Sequence, residues 1–333
     1  MIRPLFQWSR LVFKFFCLIP QRNSAKTCMI SRNKKQKRQI HFCFMVCKAL
    51  VMWLCIFYRT LFPAELKPIS GKIVLITGAG RGIGREVALQ FAQLGCLIVC
   101  WDVNLEAAQE TAKEVEAIGG KACAFHCDVS QQQDVEEKAK QVKTVVPHVD
   151  IIINNAGIMP CHPFLSHSIQ EIDRCIDINV KGCIWVVREF LPGMIERKQG
   201  HLVSMSSIAG AMGCENVVPY SASKFAVRGM MEALTEEMRR DSRNLDIKCT
   251  TICPFVVDTG LCQRPRVKFP SFLRVTNVKD AASIIVRAVR RGDALVFMPE
   301  YVYYFWLLIK ILPSQVYDYV VDFFDTGLEP HDE

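Results

Sequence analysis

Tyr220 and Lys224 stand four residues apart in the run Tyr-Ser-Ala-Ser-Lys, at the start of an amphipathic stretch. That spacing puts both side chains on one face of a helix. A free phenol, with a pKa of about 10, holds its proton too tightly to act as a base near neutrality, and a neighbouring ammonium favours the phenolate. The pair is thus a candidate tuned acid/base. Tyrosine and lysine at this spacing are also common on solvated helix faces, so the pair decides nothing alone. Thirteen residues earlier, Met205-Ser206-Ser207 closes an apolar, β-branched run and brings a hydroxyl to its end. Ser207 can donate there to a substrate oxygen. No histidine completes a hydrolase triad with it, because the nearest, His201, opens the same run and points to its other end.

A second constellation lies near residue 80. Lys72–Ile76 leads directly into Thr77-Gly78-Ala79-Gly80-Arg81-Gly82-Ile83-Gly84 and then into a helical pattern. Backbone N–H groups and the helix dipole converge at such a junction, which suits a pyrophosphate. The spacing is TGxxxGxG rather than GxGxxG, since Ile83 stands where the latter has glycine. A glycine-rich turn without a ligand is the plain alternative. The next strand ends in Asp102, 18 residues beyond Gly84. A carboxylate there accepts hydrogen bonds from the adenosine ribose and repels a 2′-phosphate. Arg81 favours that phosphate, but the carboxylate removes its space as well as its charge balance, so NAD(H) is preferred and NADP(H) is the alternative.

These groups need elements to hold them. Strands are expected at Lys72–Thr77, Cys96–Trp101, Lys121–Cys127, Ile151–Asn154, His201–Ser206, Ile247–Ile252 and Ala294–Phe297. Helices are expected at Gly82–Leu94, Leu105–Ala117, Gln131–Val145, Gln170–Arg197, Tyr220–Arg240 and Lys279–Arg291. The alternation predicts an α/β, Rossmann-like, doubly wound fold with a seven-stranded parallel sheet in a single domain, its ligand at the carboxyl ends of the strands.

The 333 residues are half apolar, high for a purely soluble enzyme, and carry a net charge of +8. That charge is localised. Residues 1–44 hold ten cations and no acid, which leaves about −2 for the rest, so a nucleic-acid partner is not expected. Sixteen scattered cysteines form no CxxC pair and no zinc-ligand spacing. They read as small core residues in a reducing compartment, and no metal is expected.

Taken together, Thr77–Gly84, Asn154-Asn155-Ala156-Gly157, Asn179, Ser207, Tyr220-x-x-x-Lys224 and Pro254 with Thr259 resemble, in order and spacing, the short-chain dehydrogenase/reductase superfamily over about residues 71–298. The resemblance implies that Tyr220 is the general acid/base and Ser207 the orienting donor. It makes Lys224 the ribose contact that lowers the Tyr220 pKa, and Asn179 the water-relay residue. Thr77, Gly78, Arg81, Gly82, Ile83 and Gly84 then cradle the cofactor, Asp102 meets its ribose and Asp128 holds adenine. Asn155 lines the adenosine side, and Pro254 and Thr259 lie by the carboxamide. Phe255 departs from the glycine that many members carry after this proline, which bears on the shape of the nicotinamide pocket.

The apolar leader, the Cys100-Trp101-Asp102 strand end and the aromatic tail near Met298-Pro299 are similar to membrane-associated retinol dehydrogenases of the epidermal type and to 17β-hydroxysteroid dehydrogenases. This implies a lipophilic alcohol such as a retinoid or steroid, oxidised to its aldehyde or ketone or formed from it. An NADP(H)-dependent carbonyl reductase and a non-catalytic lipid-droplet or membrane scaffold are the alternative readings. Family likeness also implies a homodimer through the helices before and within Tyr220–Arg240.

The chain divides into a basic leader 1–40, an apolar segment 41–62 marginally long enough to span a membrane, the catalytic domain 71–298 and the aromatic tail 299–333. The leader is either a presequence or an extension outside the functional protein, since Met45 opens a segment like the starts of membrane-bound relatives. With a start at Met45, Arg59, Lys67 and Lys72 hold the domain in the cytosol, on the endoplasmic reticulum or lipid droplets. Tyr301–Leu312, too short to span, either lies in the membrane interface or covers the substrate cleft.

Overall fold

In the computed structural model the described residues are Phe42, Met45 and 66–330, and those from 66 onward fall in one compact unit. The leader and the expected membrane segment 41–62 otherwise lie outside the described residues. Among those described, no helix is long and apolar enough to cross a membrane.

The body alternates as expected: β1 (Ile73–Thr77), α1 (Gly82–Gln93), β2 (Leu97–Asp102), α2 (Leu105–Ala117), β3 (Lys121–His126), α3 (Gln132–Val145) and β4 (Ile151–Asn154). After β4 come α4 (Ile169–Ile176), α5 (Cys183–Glu196), β5 (Gln199–Met205), α6 (Val218–Arg240), β6 (Asp246–Pro254), β7 (Pro265–Val267), α7 (Val278–Arg291) and β8 (Leu295–Met298). The tail adds α8 (Tyr301–Lys310), α9 (Ser314–Phe324) and β9 (Thr326–Leu328).

Seven strands form one parallel sheet in the order β3-β2-β1-β4-β5-β6-β8. The central strands β1 and β4 are buried along their whole length, as continuous Ile/Val/Leu runs covered on both faces must be. Side chains alternate between the faces. Val74 and Ile76 join α1, α2 and α7 in one core, while Ile73 and Leu75 join α3, α5 and α6 in the other. Strand order reverses between β1 and β4, so a crevice opens at their carboxyl ends, where Thr77 and Asn155 lie.

One reading of the sequence needs correction. The helix expected over Gln170–Arg197 is interrupted: α4, started by a Ser168/Glu171 capping box, passes into a π-helical turn at Asp177–Gly182 before α5 begins. Apolar periodicity persists on both sides of the turn, so a pattern of period 3.6 reads straight through it. In the tail Pro313 separates α8 from α9, and β9 then pairs antiparallel with β7. Other boundaries move by at most two residues, β6 for example running to Pro254.

Candidate active site

The crevice is built from the ends of β1, β4, β5 and β6. At β1, Thr77 Oγ1 accepts hydrogen bonds from the backbone N–H groups of Asn155 (3.0 Å) and Ala156 (3.1 Å). Asn155 returns its Nδ2 to the carbonyls of Thr77 and Gly78, 3.0 Å each, which fixes the turn into α1. Gly78 sits at φ +62°, and a Cβ on Gly84 would lie 2.1 Å from the Gly78 carbonyl oxygen. Only glycine lets helix and turn approach this closely. Arg81, the N-cap of α1, makes no side-chain cap, so this helix start keeps backbone N–H groups for an anion. Thr259 closes the same corner, its methyl lying against Gly82.

Asp102, at the end of β2, leans over the turn: Oδ2 accepts from Gly80 N–H at 2.8 Å and Oδ1 from Asn104 N–H at 2.9 Å. The carboxylate is thereby fixed beside the glycine turn, where an adenosine ribose would lie. Asp128, just past β3, accepts from the Ser130 hydroxyl (2.7 Å) and N–H (3.0 Å), so its carboxylate shapes the loop into α3. The turn, the open helix start and the fixed carboxylate fit a dinucleotide.

Tyr220, Ser207 and Lys224 converge on one cleft, as their spacing anticipates. Tyr220 and Lys224 lie on the inner face of the first turns of α6, and Ser207 follows the end of β5. Lys224 Nζ donates to the Met205 carbonyl at 2.9 Å and lies 5.4 Å from the centre of the Tyr220 ring. Burial pushes the Tyr220 phenol above its usual value, against the opposing effect of a hydrogen bond with Ser207. Burial likewise brings the Lys224 ammonium down to about 8. In the protein alone burial is the largest effect on the phenol, and Tyr220 stands as a proton donor.

Asn179 projects from the π-helical turn. Its Oδ1 accepts from Ile158 N–H (2.9 Å), and its Nδ2 donates to the Ile158 carbonyl (2.9 Å) and to Ser223 Oγ (3.0 Å). Asn179 does not line the cleft itself, but a Cβ on Gly157 would lie 3.0 Å from Asn179 Oδ1 and 3.4 Å from Lys224 Nζ. The lysine and the amide thus approach one another across a glycine, where no side chain blocks a bridging water.

Ile83, Asn155, Pro254 and Thr259 line the cleft together with the apolar Met159, Ile208, Phe255 and Leu261. Sequence reading missed several residues here. Ser223, which bonds the Tyr220 carbonyl (2.7 Å) and Asn179, sits three residues beyond Tyr220 on the same helix face, so its spacing was a usable signal. Cys214 and Cys262, two thiols in the cleft wall pushed up to about 11 by burial, carried none. Thr326 and Leu328, also in the wall, lie beyond the expected catalytic domain. Among the described residues no group of His, Cys, Asp and Glu is arranged to hold a metal.

Residues 72–267 match the family model of short chain dehydrogenases. The chain is 39% identical over 264 residues to epidermal retinol dehydrogenase 2 of Homo sapiens, covering 79% of this chain and 85% of that protein. It is 34% identical to 17-beta-hydroxysteroid dehydrogenase 13 of Homo sapiens, over 76% of this chain and 83% of the relative. A short-chain dehydrogenase/reductase from Burkholderia phymatum in complex with NAD shares the fold at 24% identity and TM-score 0.66, over 80% of this chain and 98% of its own. A metagenomic short-chain oxidoreductase in complex with NADP aligns at 26% identity and TM-score 0.58, over 68% and 95% of the two chains.

Proposed function

The chain belongs to the short chain dehydrogenase family and is an NAD(P)-dependent alcohol or carbonyl oxidoreductase; from that premise we propose that it uses NAD(H) to interconvert a long apolar alcohol, retinoid or steroid in character, and its carbonyl. The observation that carries this reading is the cleft itself, in which Tyr220, Ser207 and Lys224 meet a wall of apolar side chains. A bound nicotinamide supplies the hydride acceptor or donor. Ser207 orients the substrate oxygen, and Tyr220 holds or receives the proton at its Oη. Lys224 reaches the ribose, and Asn179 secures the water that refills the proton. Thr77, Gly78, Arg81, Gly82, Ile83 and Gly84 would hold the pyrophosphate, Asp102 the ribose and Asp128 the adenine. Asn155, Pro254 and Thr259 would border the rest of the cofactor.

The preference for NAD(H) rests on Asp102. Changing it to Ser is expected to shift the ratio of kcat/KM for NAD⁺ over NADP⁺ towards NADP⁺, because the carboxylate opposes a 2′-phosphate by charge and by space. A wild-type enzyme that already favours NADP⁺ would transfer the decision to Arg81 and support the carbonyl reductase.

Membrane association, on the endoplasmic reticulum or lipid droplets with the catalytic domain in the cytosol, is part of the proposal. The names of the relatives support the lipophilic substrate. The tail supports the surface: one side of α8 is packed, with Val302 and Ile309 buried and Trp306 Nε1 bonded to the Ala211 carbonyl at 3.1 Å, while Tyr304 and Leu308 on the other side, and Ile311 just past its end, are exposed. Phe305, between Phe272 and Phe324, belongs to the packed side. Leu308→Glu with Ile311→Glu is expected to reduce membrane retention of a protein lacking residues 1–62, measured by flotation with liposomes. Unchanged partitioning would leave α8 as a cleft cover only. A homodimer through α5 and α6 completes the proposal, supported by the exposed Ile184 and Phe225 on these helices.

A further inference from the structure

The last described strand of the chain reaches back to the reaction site. β9 pairs with β7, setting Leu328 opposite Pro265 and Thr326 opposite Val267. Leu328 packs against the cluster that contains Tyr220, and the ribbon lines the cleft beside Cys214 and Cys262. Its attachments sit at the two ends. At one, the Leu328 carbonyl accepts from Asn216 Nδ2 at 2.7 Å and Glu329 N–H donates to the Arg264 carbonyl at 3.1 Å. At the other, Arg266 pairs with Asp325 at 3.0 Å and with Glu215, all three about half exposed. The helix that delivers the strand, α9, buries no residue fully and is held by Phe324, which packs against Phe269, Phe272 and Phe305.

We propose that the β7–β9 ribbon is a strap forming the outer wall of the substrate cleft, and that Leu328 is a specificity-determining residue that sets which apolar alcohols fit against Tyr220. Exposed ion pairs hold little energy, and α9 is anchored mainly through Phe324, so lifting the strap for entry of a bulky substrate breaks few contacts and leaves the sheet intact. A leucine in the wall contributes through contact area. Its loss penalises a long substrate and spares a small one, which never reaches it.

The choice of substrate rests on the function proposed above; the position of the strap does not. Two readouts separate them. In the full-length enzyme, Leu328→Ala is expected to raise the KM for all-trans-retinol about tenfold or more, the scale on which apolar pockets discriminate, with KM for cyclohexanol and NADH binding unchanged. Leu328→Phe, which fills the space, is expected to reject retinol while still turning over cyclohexanol. Independently, Leu328→Ala should speed alkylation of Cys214 and Cys262 by N-ethylmaleimide, because the strap covers them. Faster labelling in an enzyme that ignores retinol would keep the strap and overturn the substrate reading. An unchanged labelling rate, or an unchanged ratio of the two KM values where retinol is a substrate, would overturn the proposal.

Discussion

Tyr220→Phe is expected to lower turnover by roughly 10²–10⁴-fold while leaving dinucleotide affinity nearly intact, since that is the usual contribution of a positioned acid/base. The variant removes one oxygen from the cleft and leaves the ring in its apolar cluster with Met159 and Val217, so the fold has no reason to change. The phenol, pushed up by burial, is a proton donor over the whole neutral range in the protein alone. In the oxidative direction it must instead accept a proton, which requires positive charge nearby to hold the phenolate. Lys224 and an oxidised nicotinamide are the two sources of that charge. Steady-state kinetics alongside NADH titration separate the steps: wild-type turnover in the phenylalanine variant would remove Tyr220 from the mechanism.

Lys224→Met should have an effect of similar size with an unusual companion. Turnover and nucleotide binding are both expected to fall, because one ammonium serves the ribose and the phenol. A lost hydrogen bond to a charged group typically costs about 1.5–3 kcal/mol of binding. At the same time the protein without nucleotide should become more heat-stable. Lys224 is buried with a single carbonyl partner, Met205, and its descent to about 8 means the fold disfavours its charged form. At neutral pH that penalty is on the order of 3 kcal/mol, and replacing the carbonyl bond by packing returns part of it, leaving a gain of about 1–2 kcal/mol and a few degrees in Tm. The sign of the pH dependence follows. Between the folded value near 8 and the unfolded value near 10.5, the unfolded chain binds more protons at this group, so its contribution to wild-type stability rises with pH across that window. The methionine variant lacks that contribution, and a Tm difference that does not shrink from pH 7 to pH 10 would refute it.

How far these features could be read from sequence depends on how local their signals are. The glycine turn, Asp102, Ser207 and the Tyr220–Lys224 pair each sit at a strand end or in a helix's first turns, where local spacing fixes direction. Burial of continuous runs such as Ile151–Ile153 made the strand positions legible as well. The π-helical turn was not legible, because inserting it preserves apolar pattern on both sides and only rotates Asn179 towards Ile158. The strap was hidden for a different reason. Its bond from Asn216 to Leu328 joins residues 112 positions apart, and three-residue strands carry no periodicity to detect. The burial that raises the Tyr220 phenol was hidden for a related cause: charge spacing is visible in a sequence, whereas depth of burial is a property of the packed site.

The central claim is that this cleft oxidises an apolar alcohol, or reduces the corresponding carbonyl, by hydride exchange with a nicotinamide. The most direct test is to follow formation of reduced nicotinamide by the protein with all-trans-retinol and with 17β-estradiol, comparing NAD⁺ with NADP⁺ and the wild type with Tyr220→Phe. Turnover of at least one alcohol, faster with NAD⁺ and lost in the phenylalanine variant, is the predicted result. A protein that binds NADH yet oxidises neither alcohol, and reduces neither corresponding carbonyl, would contradict the account and leave a scaffold with an inherited fold.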